Sequence, residues 1–301
     1  MFRLLRMRQS RRHWCIAAYL VWLAIASASA APAIQLQPTP AALEHVMLGR
    51  RVILLGETHD NGVQQALRLS ALGQLVATGA HPALAFEQFD RERQADIDRA
   101  RRERPHDAAY LIERAGADPG WNWNYYRPFV ELALQYDLPI VAANLPRNDA
   151  MRVAVDGWSA LFDAKVRDQL KLDSLPADLH RKQLQAVRTG HCNLLPPEQV
   201  EPLARAQVAR DIVMARAIRP YLQTGVVLLA GNGHVRRDIG VPRWIDDDWR
   251  KDAISIGLLE RDQARTPFPP SEEFDAYVMT DPAQRTDPCV ELAKRFQRPL
   301  R

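Results

Sequence analysis

The stretch RVILLGETHD, Arg51 to Asp60, joins a wholly apolar run to a knot of ionisable groups. Val52, Ile53, Leu54 and Leu55 show no alternation of apolar and polar residues, so the run reads as a short strand buried on both faces. Gly56 ends it, and Glu57, Thr58, His59 and Asp60 crowd the turn before a helical pattern begins at Val63. A buried parallel strand ending this way delivers its polar groups to the carboxyl edge of an α/β sheet. That is the edge at which such sheets bind ligands.

Three more apolar runs end in a similar manner. Pro82–Phe89 (PALAFEQF) carries Glu87 at its end, Pro139–Leu145 (PIVAANL) carries Asn144, and Gly225–Ala230 (GVVLLA) leads into Gly231-Asn232-Gly233-His234. Ala253–Glu260 reads as a fifth strand and Ala276–Met279 as a short sixth, at an edge of the sheet. Helical patterns separate the runs. They cover Ala41–Leu48, Val63–Thr78 with Asn61 as its cap, Pro105–Arg114, and a segment ending near Tyr136. The charged run Asp90–Arg104 reads as a solvated helix face. Helices then dominate from Asp149 to Leu222. The alternation predicts an α/β fold with a mainly parallel central sheet flanked by helices, the last block forming a helical insertion or cap.

In a parallel sheet the strand ends share one edge, so Glu57 with His59, Glu87, Asn144 and His234 are expected to converge. Singly, each has an ordinary explanation: a carboxylate paired with an arginine, or an imidazole in a local hydrogen bond. Together, two carboxylates and two imidazoles offer ligands for a divalent metal such as Zn, Mn or Fe. They offer equally a general base with its orienting partners. Gly231 and Gly233 beside His234 would let backbone approach a ligand closely; a dinucleotide fingerprint would need a third glycine. No G-x-S-x-G, P-loop or H-E-x-x-H pattern occurs. The aromatic stretch Trp121–Tyr126 reads as core or as an interface anchor. Its functional alternative is the wall of a flat ligand such as haem, built from Trp123, Tyr125 and Tyr126, with a tyrosine on the iron.

The N-terminus carries Arg3, Arg6, Arg8, Arg11 and Arg12 and no acid, then an apolar segment Cys15–Ile25 and Ala28-Ser29-Ala30. This is the layout of a Sec-type signal peptide over residues 1–30, cut before Ala31. Ser10-Arg11-Arg12 brushes the twin-arginine pattern, but His13-Trp14 continues it poorly. The apolar segment falls short of the roughly 20 residues of a spanning helix, so membrane attachment is expected only through this segment if it stays uncut. Pro-rich residues 31–40 read as a linker, and 41–301 as a single α/β domain. Without residues 1–30, Lys+Arg falls from 40 to 35 against 36 Asp+Glu, and the net charge moves from +4 to −1. That removes the case for nucleic-acid binding. Of the three cysteines, Cys192 and Cys289 remain, and in an exported protein they are expected to pair. The alternative is a reactive Cys192 thiol beside His191.

With these residues in view, the chain resembles the ChaN-type haem-binding family, within the superfamily that also holds the Tiki proteins and erythromycin esterases. The resemblance rests on LLGETHDN (54–61), PALAFEQFDR (82–91), YRPFVELAL (126–134), VAANLPR (141–147), GHCNLLP (190–196), AGNGHVRRDIGVP (230–242) and DPC (287–289). It implies an α/β fold and an exported, periplasmic protein of haem or iron uptake, with haem held between two subunits of a homodimer. The wider superfamily implies a hydrolytic or metal-dependent site at Glu57, His59, Glu87 and His234. Unlike the family's lipoprotein members, this chain has no lipidated Cys after its small residues. Three expectations therefore stand: a haem-binding protein, a metal-dependent hydrolase of small esters or peptides, and an interaction protein using its Trp-rich segment.

Overall fold

The computed structural model describes residues 32–261 and 272–297, which fall in one compact unit. The targeting segment expected over residues 1–30 lies outside the described residues. Seven strands form one wholly parallel sheet: β1 (Ile34–Leu36), β2 (Val52–Leu55), β3 (Ala83–Asp90), β4 (Ile140–Asn144), β5 (Val226–Leu229), β6 (Ala253–Glu260) and β7 (Ala276–Thr280). Their order is β1-β7-β6-β2-β5-β3-β4. The six strands expected from the apolar runs are all present. Two expectations need correction. Part of the stretch expected to be a linker is strand β1, and β1 rather than β7 is the edge on that side.

Helix α1 (Pro40–Met47) follows β1, and α2 (Gly62–Ala77) links β2 to β3. Then come α3 (Gln94–Glu103), α4 (Ala108–Arg114) and α5 (Trp123–Gln135) before β4. Odd residues of β2, Ile53 and Leu55, pack with these helices in one apolar layer, while Val52 and Leu54 face the other layer. Burial on both faces is the reason the strand carries no alternation. Asn61 caps α2, its side chain accepting from Gln64 N at 3.1 Å and donating to Glu260 at 2.8 Å. The charged run forms α3, which buries only Ile97 and Ala100.

Between β4 and β5 lie α6 (Arg147–Asp156), α7 (Ala164–Gln169), α8 (Ala177–Gly190) and α9 (Pro197–Ile218). The 22-residue α9 is the crossover helix of the second sheet face, with Met214, Ala215 and Ile218 against Val52, Leu54 and Val141. α6 packs on its outer side, Val153 against Ile212, and Phe162 from the segment before α7 joins the same cluster. After β5 come α10 (Asn232–Val235) and α11 (Asp247–Arg250), and after β7 comes α12 (Pro288–Gln297). β4 is the other edge of the sheet. There the Gln94 side chain accepts from Ala142 N at 2.8 Å and donates to Ile140 O at 2.9 Å.

Cys192 and Cys289 form a disulfide, with Cα atoms 5.6 Å apart, tying the α8–α9 loop to the start of α12. Cys192 is therefore no free thiol, and His191 bonds Val187 O at 2.8 Å. The bridge closes a loop between residues 97 apart in sequence. In the chain-entropy model a cross-link over about 100 residues stabilises by about 4–5 kcal/mol. Cys192→Ser is expected to lower the melting temperature clearly, and a reductant that lowers it in the wild type should leave the variant unmoved.

Candidate functional site

The sheet topology creates the crevice. After β2 the chain turns through α2 on one face, and after the adjacent β5 it turns through α10 towards β6, on the other side of β2. Neighbouring strands whose connections depart to opposite sides leave a gap at their carboxyl ends. Glu57, His59, Glu87 and His234 occupy that gap. Gly56 is required at its entrance: a Cβ there would lie 2.3 Å from Asn232 Oδ1 and 2.8 Å from the Val235 side chain.

Glu57 is buried and saturated with donors. Its Oε1 accepts from Tyr126 Oη at 2.8 Å and bonds His59 Nδ1 at 2.8 Å. Its Oε2 accepts from the Arg68 guanidinium and the Gln65 amide. Arg68 is fully buried and also donates to Leu55 O at 3.1 Å, which fixes it to the end of β2. Burial alone would raise the Glu57 pKa; the Arg68 charge and the bonds from His59 and Tyr126 override it and hold the carboxylate ionised. Burial and the Glu57 charge push the Tyr126 phenol the opposite way, far above its ordinary range.

Glu87 accepts from Gly231 N at 2.7 Å, and its other oxygen lies 3.4 Å from His234 Nε2. The opposite ring nitrogen, Nδ1, bonds Asp211 of α9 at 2.6 Å. His234 is thus an imidazole clamped between two buried carboxylates. Burial works against its charge, but Glu87 and Asp211 outweigh it and raise the pKa to about 10. Burial raises Asp211 to about 6 in spite of His234, whereas the His234 charge and bond drive Glu87 well below the carboxylate range despite burial.

His59 is the solvent-facing member, its side chain 47% exposed. Partial burial would lower its pKa; the Glu57 bond and the Glu87 charge raise it. An ionised Glu57 cannot donate, so the proton of that bond sits on Nδ1 and Nε2 is left for a ligand or a proton. Trp121 meets the ring edge-on at 4.8 Å and packs likewise on Tyr126 at 5.5 Å. Trp123 stacks towards Phe89 at 5.1 Å, and the Tyr125 hydroxyl lies against Gly62 at the start of α2. A Cβ on Gly231 would fall 2.8 Å from His59 Cε1 and 3.0 Å from Nε2. Gly231→Ala is therefore expected to swing His59 off Glu57, and its imidazole pKa, followed by NMR, should fall towards the ordinary value.

Four of the five strand-end residues thus come together. Asn144 does not join them: it donates to Asp90 at 3.2 Å and accepts from Arg210 at 2.7 Å. The expected divalent-metal centre is also not supported. Among the described residues no group of three or more His, Cys, Asp or Glu is disposed to hold a metal ion. The lone pairs a metal would need on Glu57 are taken by Arg68, Gln65, Tyr126 and His59. The tyrosine reading changes as well: Tyr126 is 1% exposed and its hydroxyl is committed to Glu57, while Tyr125 is half-buried. Arg68, Gln65 and Asp211 were not singled out from sequence, yet a signal exists. Gln64, Arg68, Ala71 and Leu75 lie at helical spacing on one buried face of α2, and Asp211 interrupts the apolar run of α9. A charge on an apolar face calls for a buried partner.

Fold and crevice define an α/β protein with a parallel sheet and an acid–imidazole cluster at its carboxyl edge. The family described as haem-binding uptake, Tiki superfamily, ChaN matches residues 44–245, and the chain belongs to it. The fold is similar to that of ChaN of Campylobacter jejuni, solved with cofacial haem: TM-score 0.61 and 23% identity, over 77% of this chain and 88% of that one. Weaker similarity links it to an erythromycin esterase in its open conformation, with TM-score 0.44 and 16% identity over 76% of each chain. A Bacillus cereus protein gives TM-score 0.44 and 13% identity, over 74% of this chain and 71% of that one. No curated protein matches the chain.

Proposed function

We propose that this chain is an exported haem-binding protein of haem or iron uptake, holding its haem at the carboxyl edge of the sheet. The observation that carries the reading is the family match over residues 44–245. The edge supplies what haem needs: a half-exposed imidazole on His59, the Trp121 ring beside it, and a half-buried Tyr125 against Gly62. His59 and Tyr125 are the ligand candidates, since a Tyr126 phenolate would have to displace Glu57. The disulfide agrees with an oxidising compartment such as the periplasm, and a homodimer sharing haem remains part of the proposal. Titration with haemin, followed by absorbance, should give a saturable Soret shift. His59→Ala or Tyr125→Phe should move that band. A wild-type protein showing no saturable change would overturn the reading.

One observation favours a second reading, a hydrolase of small esters or peptides. His59, with Nδ1 on Glu57 and Nε2 free, has the arrangement of an oriented general base beside a buried imidazolium at His234. Ester hydrolysis surviving in the Glu57→Gln, His234→Ala double variant would remove it.

A further inference from the structure

A groove of about 380 Å³ opens between the edge strand β4 and α9, within the roughly 300–1,000 Å³ range of ligand pockets. Ala217, Pro220 and Tyr221 give it an accessible apolar wall over a floor formed by the buried Val141 and Val213, and two cations, Arg91 and Arg216, complete the lining. The strand-end cluster contributes no residue to it. Gln94 also borders the groove, but its amide is already bonded to the β4 backbone.

The two arginines are not equally neutralised. Arg91 reaches Asp149 at 3.3 Å. Arg216 lies 5.3 Å above the Phe162 ring and, among the described residues, has no carboxylate within ion-pairing distance. Burial lowers its pKa, Asp163 opposes this, and the Arg91 and Arg219 charges lower it further. Two cations beside an apolar wall, Arg91 in an ion pair and Arg216 feeling Asp163 only through space, are complementary to a single anionic head on an apolar body. A guanidinium presents a planar fork of donors that matches a carboxylate.

We propose that this groove is a binding site for an alkyl carboxylate, a fatty-acid-like molecule whose head lies between Arg91 and Arg216 and whose chain covers Ala217, Pro220 and Tyr221. The inference is independent of the haem reading. Solvent exposure of Arg216 makes Arg216→Gln a mild change for folding. Ala217→Phe fills the groove and leaves both cations in place.

The test is calorimetric titration of the full chain with octanoate, decanoate and dodecanoate, and with decyltrimethylammonium as the oppositely charged amphiphile. The expected result is one saturable carboxylate site, tightening about four-fold per methylene while the groove still covers the chain. Arg216→Gln should weaken dodecanoate at least ten-fold, and Ala217→Phe should abolish the chain-length dependence. Equal binding of the ammonium amphiphile overturns the proposal. So does carboxylate binding untouched by both variants, which would place it on some other apolar part of the chain.

Discussion

Arg68→Met is expected to destabilise the protein by about 3–5 kcal/mol, the usual cost of stripping one partner from a buried ion pair. Arg68 and Glu57 both have fully buried side chains, and among the described residues the guanidinium is the only full cation bonded to that carboxylate apart from a protonated His59. Without it, burial would drive Glu57 towards the neutral acid. A neutral Glu57 would no longer anchor the His59 proton on Nδ1, so one substitution should unsettle both the fold and the site. Urea unfolding of Arg68→Met, Glu57→Gln and the double variant measures the coupling. The double variant is expected to be more stable than the sum of the single losses predicts, because its carboxylate is no longer left bare. Strict additivity would mean that the pair contributes nothing beyond its separate contacts.

His234→Ala is the second large effect, and its signature is the pH dependence. In the wild type, the depressed Glu87 pKa contributes stability that is present above the ordinary carboxylate range and is lost as pH falls through it. The raised His234 pKa contributes stability that is full below about 6.5 and is lost as pH climbs towards about 10. Asp211, raised to about 6, favours the fold most when protonated and loses that contribution as pH rises through about 6. The Glu87 contribution is the same at pH 6 and pH 9.5, so it is the loss of the His234 contribution, with a small part from Asp211, that makes the wild type more stable near pH 6 than near pH 9.5. Removing His234 leaves Glu87 and Asp211 buried with no cation between them. The variant should lose about 3–5 kcal/mol at neutral pH. It should regain much of that at pH 5, where one or both acids bind protons. Thermal melts at pH 5, 7 and 9.5 check this; a constant offset between the two proteins across that range would count against the clamp.

Much of this architecture could be read before any coordinates. Val52–Leu55 and Val226–Leu229 are central strands packed on both faces, and that burial forces the unbroken apolar runs by which they were found. Glu57, Glu87 and His234 could be placed because each follows such a run, and a parallel sheet turns strand ends into neighbours in space. β1 escaped because three residues at an exposed edge leave no pattern, and the preceding Pro32 suggests a linker. Asn144 met the same positional criterion as the others but its strand is the sheet edge, where Asp90 and Arg210 claim its amide. Strand-end position carries no information about which way a side chain turns. The metal expectation failed for a related reason. A list of acids and imidazoles says what they could ligate, but Arg68 and Asp211, the residues that consume their charge, sit on the buried faces of helices α2 and α9 rather than at strand ends.

The Gln94 amide on β4 has a consequence for how copies of this chain could associate. An uncovered sheet margin is an invitation to any extended segment, which can continue the backbone ladder. Here a side chain occupies the donor and acceptor of Ala142 and Ile140 in the way an eighth strand would. Growth of the sheet across that boundary is blocked, so two copies meeting there must do so through side chains. Strand-to-strand pairing between copies is thereby left to the opposite margin of the sheet, at β1.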